Sequence, residues 1–328
     1  MTTTADATRL DRTADAIRER QRFVIASHVR PDGDAVGSQM AMAYALRQLG
    51  KEVRVVSCNL APPPLHAFPG VSEIEILEHV DDPGDAVIVM ESGDLTRTGV
   101  TGLERGYIIN IDHHVGNSMF GAINWFDVSA AACGEMVFDL IGALGVPLSH
   151  DIAVHLYVAI LTDTGSFHHS NITPRTFEIC RQCVEAGVNP AAVARSVFDN
   201  NNMGRLRLMG AVLDRMQLDR TGQLATLSVD EHLVTACDGT YEDTDGLINL
   251  PLTVREIQAV VLFKEVGPDD WRVSMRSKGN VNVNAVAREF GGGGHKNASG
   301  CSASGSLTQL KRIFQEKITA QVDLAGQS

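Results

Sequence analysis

The sequence is short of basic residues. Its 328 residues hold 28 Lys and Arg against 40 Asp and Glu, a formal net charge of −12. That deficit excludes a protein that wraps long duplex nucleic acid, which needs a broad basic face. A small phosphorylated substrate stays open, because a bound divalent cation can reverse the field locally. No apolar run approaches the roughly 18 residues of a membrane span, so no membrane partner is expected. The first 21 residues are charged and have no signal-like apolar core; a surface helix is expected there. Cysteines are few and scattered, at positions 58, 133, 180, 183, 237 and 301. That usage fits a reducing cytoplasm better than a disulfide framework. Cys180 and Cys183 are spaced as CxxC, but no second pair accompanies them, so both read as ordinary helix residues.

What is present is a 44% hydrophobic chain long enough for two domains of ordinary size. The runs 22–27, 52–58, 85–90 and 106–111 are apolar throughout, as strands buried on both faces should be. A short strand-like segment lies at 74–77. Helical patterns cover 35–49, 131–144, 151–161, 174–186 and 190–198. This alternation predicts an α/β domain with a parallel sheet and helices on both faces. The texture changes at the polar cluster 199–202. A helix at 203–217 follows, then strands at 223–229, 256–266 and 270–277, the last two joined by a hairpin turn at 267–270. A helix at 283–290 runs into GGGGHKNASG, and a last helix covers 307–323. The expected division is a domain over 1–200, a helical linker over 201–217, and a smaller α/β domain over 218–328.

Acids and histidines collect where apolar runs end. The run 22–27 leads into SHVRPDGDAVGS, with His28, Asp32 and Asp34. A plain strand-to-helix turn needs one capping acid, and two carboxylates so close repel each other. The run 85–90 leads into Glu91, the run 106–111 into Asp112, His113 and His114, and the helix 151–161 into Asp163. In an open parallel sheet, ligands bind outside the carboxyl ends of the strands. Oxygen donors with some imidazole and no thiolate suit hard or borderline divalent ions, Mn²⁺ or Mg²⁺.

These residues resemble the DHH phosphoesterase family. Its HxxPDxDxxGS signature is matched from His28 to Ser38, and its DHH tripeptide by Asp112, His113 and His114. The glycine-rich tail 291–300, with Arg276 and Lys278 before it, is similar to the family's DHH-associated C-terminal domain. Within the family, the length and tail resemble the NrnA-like oligoribonucleases, which degrade RNAs a few nucleotides long. These often act as phosphatases on 3′-phosphoadenosine 5′-phosphate (pAp) too. The resemblance implies a metal-dependent phosphodiesterase with two divalent ions, Mn²⁺ before Mg²⁺. His28 and Asp32 would hold one ion; Asp34, His113 and Asp163 would hold the other; residue 91 would bridge them. His114 would meet the scissile phosphate as hydrogen-bond donor or general acid, with Asp112 supporting it. The family usually has Asp where this chain has Glu91, so the backbone must retreat or the carboxylate tilt. Asp94 is the alternative bridge.

In the tail, consecutive glycines let the backbone approach an anion with free N–H groups. Gly292, Gly293 and Gly294, with Arg276, Lys278, His295 and Lys296, are therefore expected to bind substrate phosphate. The expected partner is short RNA or a phosphorylated nucleotide. A homodimer is compatible with the sequence, which identifies no interface. His168 and His169 read as loop residues, and Arg97 as a loop brace or substrate contact. Two other readings stay open: hydrolysis of pAp alone or of another small phosphoester or pyrophosphate on the same metal core, and a non-catalytic nucleotide-binding protein.

Overall fold

The computed structural model describes residues 4–326. Two compact units meet between Asn200 and Asn201. The first opens with α1 (Thr4–Arg18), β1 (Arg22–Ala26), α2 (Gly33–Gln48) and β2 (Glu52–Ser57). Next come β3 (Glu75–Ile76), β4 (Ala86–Met90), β5 (Ile108–Asp112) and β6 (Ile123–Phe126). It closes with helices α3 (Cys133–Ala143), α4 (His150–Asp163), α5 (Pro174–Glu185) and α6 (Pro190–Phe198). The strands form one parallel sheet in the order β3-β2-β1-β4-β5-β6. β4 and β5 are buried along their whole length, which is why their sequences show no polar alternation.

Helix α2 is made of small and apolar residues and is buried on nearly every side. Asp32 caps it, its Oδ1 accepting from the Ala35 N–H at 3.0 Å. Glycine lets it lie against α4: a Cβ at Gly37 would stand 2.5 Å from the His155 carbonyl oxygen. Helix α1 is the surface helix the sequence suggested, with one face buried. Thr13, Ala14, Ala16 and Ile17 are buried, and the exposed charges lie on the other face. Strand β6, short and only half-buried, has no counterpart in the sequence reading. Cys180 and Cys183 are buried core residues of α5 with free thiols.

The second unit begins with α7 (Met203–Asp214), followed by β7 (Gln217–Leu218), β8 (Leu224–Val229), α8 (Glu231–Ala236) and β9 (Ala259–Gly267). Then come β10 (Asp270–Ser277), α9 (Val283–Glu289), β11 (Gly293–His295), β12 (Ala298–Ser304) and α10 (Leu307–Gly326). The stretch 201–217, expected as a linker, is packed into this unit: Leu208 and Val212 of α7 are fully buried against Leu227 and Val229. The sheet runs β11-β12-β10-β9-β8-β7, parallel between β8 and β9 and antiparallel elsewhere.

Candidate metal centre

All the acid and imidazole clusters lie in the first unit, beyond the carboxyl ends of its strands. Glu91 directly follows β4, Asp112 ends β5, and Asp163 is the last residue of α4. His28 follows β1, and Asp34 sits in the first turn of α2. They converge as two triads. His28, Asp32 and Glu91 form one, and Asp34, His113 and Asp163 the other; within each, one donor atom per residue lies within 4.8 Å of the rest. Glu91 also groups with His113 and His114, so its carboxylate adjoins both triads. Among the described residues it is the only acid that groups with members of both triads.

Asp34 is the most firmly held. Its Oδ2 accepts from the Cys133 N–H at 2.6 Å, and its Oδ1 from the Gly134 N–H at 3.1 Å and the Ser38 hydroxyl at 2.8 Å. The amides are the first of α3, so the carboxylate completes one helix while standing in the first turn of another. The imidazoles are oriented from behind. His113 Nδ1 lies 3.0 Å from the Ala130 carbonyl and His28 Nδ1 2.9 Å from the Val29 carbonyl. With each Nδ1–H donating to its carbonyl, each Nε2 is left as a lone-pair donor toward the acids.

The backbone at Glu91 is left-handed, with φ 57°. For a glutamate this costs of the order of 1 kcal/mol, a strain that persists where surrounding structure imposes it. Asp94 is turned elsewhere: its carboxylate accepts from the Thr96 N–H at 2.9 Å and the Ser118 hydroxyl at 3.1 Å.

The electrostatics show an acid excess. Burial raises the Asp34 carboxyl well above the usual range; Glu91 adds to the rise and His113 opposes it. Burial, with Glu91, also raises Asp163. Burial alone would lower His113, but Glu91, Asp34 and the Ala130 carbonyl outweigh it and push the imidazole up to about 10. Glu91 Oε1 and His113 Nε2 are buried and stand 3.2 Å apart, yet neither has the alignment of a hydrogen bond. Buried acids, orphaned donor atoms and imidazoles fixed in the ligating tautomer fit divalent cations.

His114 stands outside the triads. Its Nδ1–H donates to Asp112 Oδ1 at 2.9 Å, which raises the imidazole. Burial works against ionised Asp112, but bonds from His114 and Asn117 outweigh it and hold the carboxyl low. Several supports carry no mark in the sequence: Asn117, the Ala130 carbonyl, the α3 amides, and Asn171, which donates to the carbonyls of Ala131 and Asp163. Arg97 braces its loop through its carbonyl, which accepts from the Val29 N–H at 2.7 Å. His168 and His169 are exposed; the His169 ring lies over Gly165 with Nδ1 3.3 Å from the Asp163 carbonyl, and its backbone N–H donates to the Thr164 carbonyl.

The glycine-rich segment of the second unit is less open than its composition implies. The N–H groups of Gly291 and Gly292 donate to carbonyls of α9. Gly293, Gly294 and His295 form the edge strand β11. A Cβ on Gly292 would lie 2.2 Å from the Gly300 oxygen, and one on Gly294 2.5 Å from the Ala298 oxygen. Those glycines serve close packing on β12, whereas Gly293 faces open space. His295 is exposed, Lys296 reaches Asn280, Lys278 donates to the Val254 carbonyl, and Arg276 to that of Met275.

Comparison with known proteins agrees with this architecture. The N-terminal domain of the DHH family matches residues 22–160, and the DHHA1 domain matches residues 232–322. The bifunctional oligoribonuclease and PAP phosphatase NrnA of Thermus thermophilus is 35% identical over 306 residues, covering 92% of this chain and 90% of its own. Its namesake from Bacillus subtilis is 27% identical over 284 residues, covering 85% of this chain and 88% of its own. Among solved structures, an exopolyphosphatase-related protein from Bacteroides fragilis superposes with a TM-score of 0.89 at 26% identity, covering 98% of both chains.

Proposed function

Because the chain belongs to the DHH family and carries a DHHA1 domain behind its DHH domain, we propose that it is a metal-dependent phosphodiesterase acting on short oligoribonucleotides. Linear dinucleotides such as pApA are included, mononucleotides are the products, and pAp is a second substrate losing phosphate. The 35% identity to the Thermus thermophilus enzyme, aligned over nearly the whole chain, supports the substrate class. The observation that carries the reading is the pair of adjoining triads, with Glu91 a member of one and grouped with His113 of the other.

In this proposal His28, Asp32 and Glu91 would hold one divalent ion, and Asp34, His113 and Asp163, with Glu91 again, would hold the other. Mn²⁺ suits the mixed carboxylate and imidazole donors, and Mg²⁺ is the second choice. Such ions supply an activated water and neutralise phosphate oxygens. The chain's own residues do the rest. The α3 amides and the Ala130 and Val29 carbonyls fix the ligating atoms before substrate arrives. His114, its Nδ1 committed to Asp112, offers Nε2 to a phosphate oxygen or the leaving oxygen. His295, Lys296, Arg276, Lys278 and the open Gly293 backbone are proposed to bind substrate phosphate, while Gly292 and Gly294 support β11 by packing. The net charge of −12 disfavours long polyanions away from these contacts. The free thiols support a cytoplasmic setting.

The test is hydrolysis by metal-stripped protein with added Mn²⁺ on pApA, a short RNA, a long RNA, pAp, polyphosphate and pyrophosphate. The expected result is fast mononucleotide release from the short RNAs, slow release from the long one, phosphate from pAp, and loss of rate in His114→Ala. Turnover of pyrophosphate or polyphosphate alone would refute the substrate assignment.

A further inference from the structure

We propose that Asn117 is a positioning residue for the reaction: it holds Asp112 so that Asp112 fixes the ring of His114. The inference rests on the reading of this site as a phosphoester hydrolase. Asp112 is fully buried and its two oxygens are divided. Oδ1 accepts from both the Nδ1–H and the backbone N–H of His114, at 2.9 and 3.2 Å. Oδ2 accepts from Asn117 Nδ2 at 2.6 Å, its only partner among the described residues. Without Asn117, one oxygen of a buried carboxylate is unpaired, and the group can turn about its side-chain torsion. His114 then loses the acceptor that sets its tautomer and its direction.

Asn117 is itself held on three sides. Its Nδ2 also reaches the Ser92 carbonyl at 3.3 Å, and its Oδ1 accepts from the Met119 N–H at 2.8 Å. Met119 has a left-handed backbone, φ 55°, so the turn closes tightly on the asparagine. Asn110 donates to the same Ser92 carbonyl from within β5. Ser92 directly follows Glu91. One side chain thus ties the loop bearing the shared acid to the loop bearing His114. A carboxylate at 117 could not donate to Asp112, and serine or alanine could not reach it.

The experiment compares wild type, Asn117→Ala and Asn117→Asp, each alone and with His114→Ala, on a short RNA in saturating Mn²⁺. The expected loss in kcat is about 10- to 100-fold for either single variant, with KM and Mn²⁺ affinity within about threefold of wild type. In the His114→Ala background, the further loss is expected to be under about twofold, because the effect passes through His114. Nitrogen-15 spectra of the metal-free protein give a readout independent of turnover: the His114 Nδ1–H signal is present in wild type and lost in both variants. An undiminished kcat, an equal loss in the His114→Ala background, or an unchanged Nδ1–H signal would each overturn the proposal. A wild type inactive on every substrate would instead refute the reading of the site, and the spectra would still decide the role of Asn117.

Discussion

Asp34 and Asp163 are both acids of one triad, yet the structure holds them differently, and their Asn variants should separate. Asp34 is 1% exposed and accepts three hydrogen bonds, two from the first amides of α3. Asparagine has the same shape but one acceptor. If its NH₂ replaces Oδ2, it faces the Cys133 N–H; if it replaces Oδ1, it faces the Gly134 N–H. Ser38 can rotate its hydroxyl, but an amide cannot. One helix-end N–H therefore loses its acceptor, and the remaining bonds lose their charge assistance, at about 1.5–3 kcal/mol for each charged bond. Relief of the burial penalty and of repulsion with Glu91, the effects that raise this carboxyl, returns part of this, leaving a net cost of about 2 kcal/mol, set by the N–H left without an acceptor. For a domain of this size that lowers the melting temperature by about 4–8 °C. The Asp163 side chain is 30% exposed, and its carboxylate accepts no hydrogen bond among the described residues; its nearest cation is His113 at 3.7 Å. Asp163→Asn removes only a charge from a crowded acid cluster. It should melt within about 2 °C of wild type, or above it. The assay is a thermal melt in EDTA, repeated in Mn²⁺. Both variants lose most of the Mn²⁺-induced rise, but only Asp34→Asn falls in EDTA. Equal melting of the two in EDTA would refute the assignment of Asp34 as the cap of α3.

Three further outcomes follow from particular groups. His155 is buried, donates from Nε2 to the Pro69 carbonyl at 2.8 Å, and is held down to about 4, chiefly by burial. Its stabilising contribution is complete above the unfolded value near 6.5 and is lost as pH falls through about 4, a loss of the order of 3 kcal/mol. Acid titration of stability should show that loss, and His155→Gln should lack it. His113, pushed up to about 10, carries a proton at pH 8 without metal. That proton stabilises the metal-free fold fully below about 6.5, and the contribution is lost as pH rises through about 10. Ligation at Nε2 must expel it, so calorimetry at pH 8 in two buffers of different ionisation enthalpy should show about one proton released per ion bound at that triad. In the second unit, Gly292→Ala should destabilise by several kcal/mol, since its Cβ would overlap the Gly300 oxygen, and Gly293→Ala by under about 1. Chemical denaturation distinguishes them.

The parallel sheet was legible because β1, β4 and β5 are apolar on both faces, and so were the acids at their ends. Convergence was implied by the strand ends alone. What stayed hidden depends on the third dimension. β11 and β12 are built from Gly, Ala and Ser, with hardly an apolar side chain to mark a period, and the four glycines therefore read as an open loop. The buried face of α1 is Thr, Ala and Ile among many charges. Glu91 was visible as an anomaly of type, but its left-handed backbone was not. Asn117 looked like any loop asparagine, because its importance comes from the buried oxygen of Asp112 beside it.

One cluster is proposed to hold two divalent ions, with Glu91 common to both. The most direct test is a Mn²⁺ titration of the metal-stripped protein by equilibrium dialysis, wild type beside Glu91→Ala. Two ions bound per chain are expected in wild type, and weakened binding of both in the variant. A single ion in wild type, or two ions bound undiminished without the Glu91 carboxylate, would contradict the proposal.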